Sequence, residues 1–124
     1  MSDFSLPVET AMSRVLLVED FEPLRTSTAA VLRQMGFTVV EADSAESAMA
    51  VLAAEHIDVL FTDISLPGVS GEVFAAEARV LHPSLQLVFG TGLAQFPSPA
   101  PGSGPPLLRK PYTRAELEAA LAPS

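Results

Sequence analysis

The sequence predicts an α/β fold in which helices cover both faces of a doubly wound, five-stranded parallel sheet. Short apolar runs alternate along the chain with segments whose apolar residues recur at helical spacing. The runs are apolar at consecutive positions, as in parallel strands that are buried on both faces. The predicted strands are Arg14 to Val18, Phe37 to Glu41, Ile57 to Thr62, Leu85 to Phe89 and Leu107 to Arg109.

The first two helices are predicted from apolar periodicity and from their end signals. Leu24, Thr28, Val31, Leu32 and Met35 share one face of the first helix. Gly36 follows this stripe and is expected to end the helix. Asp43 and Glu46 have the spacing of a capping box, which predicts the start of the second helix.

The last two helices have clearer boundaries. Ser70 is the predicted N-cap of the third helix, which is expected to end near His82 because Pro83 disfavours helix in the residue before it. Thr113 and Glu116 form a second capping box, and this box opens the last helix.

One segment, Leu93 to Pro106, interrupts the alternation. It contains five of the 11 prolines and no helical stripe. Proline inside a helix costs about 3 kcal/mol, so we expect a loop here, with at most a short turn at Gly92 to Phe96, in place of the fourth helix.

Length and composition limit the classes of function. A chain of 124 residues fits one domain, which we assign to 14–122 after a flexible leader at 1–13. A net charge of −8 argues against direct nucleic-acid binding, and no apolar run is long enough for a membrane span. The chain has no cysteine and no signal peptide pattern, so we expect a cytoplasmic protein.

Polar residues follow four of the five predicted strands. Glu19 and Asp20 follow the first, Asp63 the third, Thr91 the fourth, and Lys110, the only lysine of the chain, the fifth. The carboxyl ends of parallel strands meet at one edge of a sheet, where α/β proteins bind their ligands. Clustered carboxylates suit Mg²⁺.

This combination of residues can support phosphoryl transfer. A carboxylate can attack phosphorus to give an aspartyl phosphate, and Asp63 is the predicted nucleophile. Lys110 and Mg²⁺ would neutralise the phosphoryl oxygens, and Thr91 would donate a hydrogen bond to one of them. Taken singly, each residue also has a structural interpretation: an aspartate before a turn often bonds its own backbone, and a lysine before proline is usually solvated.

The ordered motifs resemble a known family. They are Val15-Leu16-Leu17-Val18-Glu19-Asp20, Asp63-Ile64-Ser65-Leu66-Pro67-Gly68-Val69-Ser70-Gly71, Thr91-Gly92 and Lys110-Pro111-Tyr112. Together they resemble the receiver domain of two-component response regulators, a resemblance that covers about residues 14 to 122. It implies a flavodoxin-like sheet of strand order 2-1-3-4-5 and a signalling domain rather than an enzyme.

The resemblance also implies roles for individual residues. The side chains of Glu19, Asp20 and Asp63 and the backbone carbonyl of Ser65 would bind Mg²⁺. A histidine kinase or phosphotransfer protein would phosphorylate Asp63, and Thr91 and Lys110 would contact the phosphoryl group. Self-phosphorylation and autodephosphorylation would be the domain's only chemistry.

Two features depart from the usual receiver pattern. Receivers usually carry an aromatic residue three positions before the lysine, and here that residue is Leu107. The missing fourth helix is similar to the receiver subset named for the motif Phe-Ala-Thr-Gly-Tyr, although Gly90 stands for alanine and Leu93 for tyrosine. We therefore expect phosphorylation to order the segment 92–106 instead of moving an aromatic ring.

Other functions remain open at the level of sequence. The chain could be a stand-alone receiver or a receiver from a hybrid kinase, and in either case it would act through another, unknown protein. It could also be a pseudo-receiver that binds partners without phosphorylation. An aspartyl-phosphate phosphatase would need a second aspartate two residues after the nucleophile, where this chain has Ser65.

Overall fold

A computed structural model of the protein describes residues 13–92 and 105–121. The predicted leader, apart from its last residue, and the predicted loop between 93 and 104 lie outside this part of the chain. The described residues form 11 elements. These are β1 (Arg14–Val18), α1 (Glu22–Gln34), β2 (Thr38–Ala42), α2 (Ala45–Ala54), β3 (Val59–Asp63), β4 (Ser65–Leu66), β5 (Val69–Ser70), α3 (Gly71–Leu81), β6 (Gln86–Thr91), β7 (Leu107–Arg109) and α4 (Arg114–Leu121).

The main sheet has five strands in the order β2-β1-β3-β6-β7, and all neighbouring strands are parallel. This is the predicted order 2-1-3-4-5, since β4 and β5 form a separate hairpin. The prediction of an α/β, doubly wound, five-stranded parallel sheet is therefore confirmed. The strands end one to two residues later than predicted at β2, β3 and β6, so that Asp63 and Thr91 are the last residues of their strands.

Two apolar cores lie on opposite faces of the sheet. Alternate residues of β1 point to each face, with Leu16 in one core and Leu17 in the other. The first core is closed by α2 and α3, which contribute Leu52 and Phe74, and the second by α1 and α4. The continuous apolar runs of the sequence follow from this burial on both sides.

A glycine ends the first helix, and a serine side chain caps the start of the third. Gly36, at φ +102°, ends α1: its N–H donates to the carbonyl of Arg33, and the N–H of Phe37 donates to that of Leu32. This is a Schellman motif, in which glycine accepts the left-handed conformation. Ser70 caps α3 by accepting from the N–H of Val73, as predicted.

One predicted cap is wrong. The Asp43–Glu46 capping box does not form, because Ser44 is the N-cap of α2 and its Oγ accepts from the N–H of Ser47 at 3.1 Å. Asp43 lies one residue too early and instead accepts from the hydroxyl of Ser47. The other capping box is confirmed: the N–H of Thr113 donates to Glu116 Oε1, and the N–H of Glu116 donates to Thr113 Oγ1.

Candidate functional site

The carboxyl edge of the sheet holds the predicted polar residues. Glu19 and Asp20 follow β1, Asp63 ends β3, and Lys110 follows β7. Glu19, Asp20 and Asp63 each offer a carboxylate oxygen, and these oxygens lie within 4.8 Å of one another. Parallel strand order brings them together, because β1 and β3 are hydrogen-bonded neighbours.

Lys110 binds two of these carboxylates at once. Its Nζ lies 2.6 Å from Glu19 Oε1 and 2.7 Å from Asp63 Oδ2. The two carboxylate residues are only 3% and 6% exposed. An uncompensated buried charge is costly, so Lys110 is the internal counter-cation of the pocket in this state.

A backbone N–H and an arginine side chain hold Glu19 in position. The N–H of Phe21 donates to Glu19 Oε2 at 3.0 Å, and the Arg25 guanidinium donates to the Glu19 carbonyl at 2.8 Å. Phe21 is the N-cap residue of α1, and Pro23 lies in the first turn of this helix. The turn between β1 and α1 therefore holds the carboxylate of Glu19, and the first turn of α1 holds its carbonyl.

Asp63 is fixed by the chain that follows it. The N–H of Ser65 donates to Asp63 Oδ1 at 3.1 Å, and the β4–β5 hairpin begins at that serine. Pro67 and Gly68 form the turn, with Gly68 at φ +81°, the left-handed conformation that the third residue of a type II turn requires. The hairpin returns the chain to Gly71, whose N–H donates to the Ile64 carbonyl.

Gly71 allows helix α3 to start directly beside the end of β3. A Cβ atom at this position would lie 2.0 Å from the backbone oxygen of Asp63 and 3.0 Å from the Cα of Ile64. Both contacts are with backbone atoms, which cannot rotate away. A side chain at 71 would therefore displace either the helix or the strand end that carries Asp63.

The pocket shifts the protonation of its members. Burial raises the pKa of Glu19 above its ordinary value, and this effect outweighs the opposing influence of Lys110. Burial alone would lower the pKa of Lys110, but its hydrogen bonds to Asp63 and Glu19 leave that pKa raised. The ammonium is therefore held more firmly in its charged form than a free lysine.

Thr91 and Ser65 occupy different places relative to Asp63. Thr91 is buried at the end of β6, one residue after Gly90, which is the register partner of Asp63. Its carbonyl accepts from the N–H of Lys110 at 2.9 Å. Ser65 is exposed and adjoins the site through its backbone.

Tyr112 also belongs to this region, although the sequence analysis assigns no separate role to it. Its ring packs on Phe61 with a centroid separation of 5.1 Å. A Cβ atom at Gly90 would lie 1.9 Å from the Tyr112 hydroxyl oxygen, so the hydroxyl fills the space that a side chain at 90 would take. Burial, and then the charges of Glu19 and Asp63, raise the pKa of Tyr112. A glycine inside a strand is the sequence signal that could have indicated this contact.

The fold and the pocket together define a class: an α/β domain with a buried aspartate, flanking carboxylates and a lysine at the carboxyl edge of a five-stranded parallel sheet. Residues 15–122 match the response regulator receiver domain family. The chain belongs to this family. Receivers are signalling domains of two-component systems and bind Mg²⁺ at an acidic pocket.

Known proteins similar to this chain occur as separate receivers and as parts of larger proteins. The response regulator receiver protein CpdR of Brucella abortus is 35% identical over 83 residues, 67% of this chain and 69% of that protein. The sensor kinase CckA of the same organism is 31% identical over 83 residues, 65% of this chain, but the match spans only 9% of that kinase.

A solved structure gives a similar result. The receiver domain of the hybrid histidine kinase CckA is 27% identical, with a TM-score of 0.69 over 86% of this chain and 94% of that one. Among the described residues, no helix has the length and apolar character that a membrane span requires.

Proposed function

We propose that Asp63 accepts a phosphoryl group from a histidine kinase or phosphotransfer protein and that the phosphorylated domain signals to another protein. The observation that carries this proposal is the geometry at Asp63. A nearly buried carboxylate at a strand end contacts Lys110 at 2.7 Å and lies in a group of three carboxylates within 4.8 Å.

The donor set of the pocket fits Mg²⁺. Magnesium prefers hard oxygen ligands and usually combines one or two carboxylates with waters and phosphate oxygens. Glu19, Asp20 and Asp63 supply such oxygens, and we include the Ser65 carbonyl in the proposed ligand set. When bound, the ion would supply positive charge against the phosphoryl oxygens.

The transfer step balances without another reactant. An oxygen of Asp63 attacks the phosphorus atom of a phosphohistidine, and a P–O bond forms as the P–N bond breaks. The electron pair of that bond leaves with the ring nitrogen, so the donor departs as neutral imidazole with its proton on the other nitrogen. Lys110 is already in contact with Asp63 and would neutralise the added negative charge.

Thr91 is the proposed hydroxyl donor to the phosphoryl group. It follows the residue paired with Asp63, and its backbone is bonded to that of Lys110. A shift of Thr91 would therefore be transmitted to β7 and to the segment before it. We also propose that phosphorylation orders the segment 92–106, because its five prolines disfavour a regular helix.

The surroundings of the domain are also part of the proposal. We expect a cytoplasmic location, where kinase or phosphotransfer domains would have access to Asp63. We propose no direct contact with nucleic acid, because the net charge is −8. The downstream partner would be a protein that recognises the phosphorylated form.

Incubation with acetyl phosphate and Mg²⁺ tests the phosphoacceptor. We expect an adduct, detected by intact-mass spectrometry, that hydroxylamine removes and that Asp63→Asn does not form. Asp43→Asn is the matched control, since Asp43 lies just after β2 at the same sheet edge but outside the carboxylate group. An unmodified wild-type chain would favour a pseudo-receiver, and an adduct that persists in Asp63→Asn would exclude Asp63 as the acceptor.

Partner identity needs a second experiment. Purified histidine kinases and phosphotransfer domains can be phosphorylated with labelled ATP and mixed with this domain. We expect one or a few of them to transfer label rapidly to the wild-type domain and not to Asp63→Asn. Equal slow transfer from all donors would contradict a specific kinase partner.

A further inference from the structure

The hydroxyl of Tyr112 lies beside Asp63 because of the sheet register. Gly90 on β6 is paired with Asp63 on β3, and side chains at paired positions of parallel strands project from the same face, about 5 Å apart. The hydroxyl oxygen would lie 1.9 Å from a Cβ at Gly90. It therefore occupies the place of the side chain that would neighbour Asp63.

The surrounding core fixes the ring that carries this hydroxyl. Phe61 and Val88 belong to the same core cluster, against which Tyr112 also packs. Asp63 and Gly90 each follow one of these residues by two positions, so they face the same side of the sheet. The contact with Phe61 holds the ring, so the hydroxyl of Tyr112 stays at the end of the sheet that carries Asp63.

The hydroxyl has no hydrogen-bond partner among residues 13–92 and 105–121. Lys110 and the Ser65 N–H instead occupy the Asp63 oxygens. A phenol hydroxyl is both donor and acceptor and usually finds a partner when its ring is buried. Burial raises the pKa of Tyr112, and the negative charges of Glu19 and Asp63 raise it further.

We propose that Tyr112 donates a hydrogen bond to an oxygen of the phosphoryl group on Asp63, and that Gly90 is required because its missing side chain makes room for this hydroxyl. The inference rests on the proposed phosphorylation of Asp63. It adds a third protein donor to Thr91 and Lys110. Receivers usually carry an aromatic residue at the position of Leu107. In this chain, the aromatic side chain that responds to the phosphoryl group would be at position 112 instead.

Tyr112→Phe separates this role from a structural one, because it keeps the ring on Phe61 and removes only the hydroxyl. The affinity for beryllofluoride, a phosphoryl mimic, is measured by ¹⁹F NMR with saturating Mg²⁺ for wild type, Tyr112→Phe and Asp63→Asn. A hydrogen bond to a charged group is worth about tenfold or more in affinity. We expect Tyr112→Phe to bind the mimic about tenfold more weakly, with Mg²⁺ affinity and urea stability unchanged.

The outcomes distinguish this inference from the proposed function. If the wild type fails to bind the mimic, both fall together. If the wild type binds and Tyr112→Phe binds equally well, only the role of Tyr112 is refuted. A loss of urea stability without a loss of affinity would assign the hydroxyl a structural role and refute the proposal.

Wild-type protein offers a second measurement, because Tyr112 is its only tyrosine and there is no tryptophan. Its emission reports this one ring directly. We expect beryllofluoride with Mg²⁺ to change the emission, and Mg²⁺ alone to change it less. An emission that does not respond to the mimic, in a sample shown by NMR to bind it, would also overturn the proposal.

Discussion

Replacing Lys110 by methionine should destabilise the domain in a way that depends on pH. The substitution keeps an unbranched side chain but removes the ammonium that bridges Glu19 and Asp63 at 2.6 and 2.7 Å. Breaking a buried ion pair by removing one partner typically costs about 3–5 kcal/mol. The variant can reduce this loss by taking up a proton on Glu19, whose pKa is already raised from 4.5.

The cost of that proton sets the magnitude. In the unfolded chain Glu19 has the ordinary pKa of 4.5. Folding with this group protonated at pH 7 therefore costs 1.36 kcal/mol for each of 2.5 pH units, or about 3 kcal/mol. We therefore expect Lys110→Met to lower the free energy of unfolding by about 3 kcal/mol at pH 7. The loss should shrink by about 1.4 kcal/mol per pH unit on acidification and fall below about 1 kcal/mol at pH 5.

The sign follows from proton linkage. Folded Lys110→Met would bind one more proton than its unfolded chain above pH 4.5, so its stability falls as pH rises. In the wild type, the raised pKa of Lys110 means that its contribution is complete below 10.5 and is lost only as pH rises through the higher folded value. The charge of Lys110 in the wild type is therefore constant between pH 5 and 7. Any change with pH in the stability difference between wild type and Lys110→Met then comes from the carboxylates of the pocket.

Urea denaturation followed by circular dichroism at several pH values measures this difference. Arg114→Met is the control, since it removes one positive charge from an exposed pair with Glu118 and should cost less than about 0.5 kcal/mol. Added Mg²⁺ should restore part of the stability of Lys110→Met, because a ligand that binds only the folded state stabilises it. A loss equal at pH 5 and 7, or no larger than that of the control, would refute the counter-cation role.

Three further predictions concern the scaffold. Gly71→Ala should lower the free energy of unfolding by about 1–3 kcal/mol, because its Cβ would clash with the backbone of Asp63. Gly92→Ala is the control and should be tolerated, since only Lys110 Cδ would lie near its Cβ, at 3.9 Å. Urea denaturation compares the two variants. Thr113→Ala should cost about 1 kcal/mol through loss of the α4 cap, seen as a lower melting temperature, and Thr113→Ser should largely retain it. Leu117 is only 1% exposed, so Leu117→Ala should lower the free energy of unfolding by about 2–5 kcal/mol, measured by urea denaturation.

Much of the fold could be predicted from sequence because burial on both faces leaves continuous apolar runs. All five main strands were predicted, and the ends of α1 and α3 follow from Gly36, Ser70 and Pro83. The N-cap of α2 was missed because Asp43 and Ser44 are both good capping residues. The extended backbone at Ser44, with φ −155° and ψ 162°, decides between them, and sequence does not specify it.

The short hairpin after Asp63 was not predicted for a different reason. Its strands are two residues each, too short for any alternating pattern to appear. Pro67 and Gly68 are typical turn residues, but a turn does not by itself show that the residues on either side of it pair. The hairpin is nonetheless what brings the Ser65 N–H to Asp63 and Gly71 to the end of β3.

For the site, the sequence predicts which residues approach one another but not which atoms are in contact. Parallel strand order alone predicts that Glu19, Asp63 and Lys110 approach one another, but not that the ammonium contacts both carboxylates. Gly90 is the more instructive position, because glycine within a strand often marks a bulge, a bend or the close approach of another group. Here that group is the hydroxyl of Tyr112, 22 residues later in sequence, and only the register between β3 and β6 shows that the space it fills adjoins Asp63. A glycine that weakens a strand is thus best explained by the group that takes the place of its side chain.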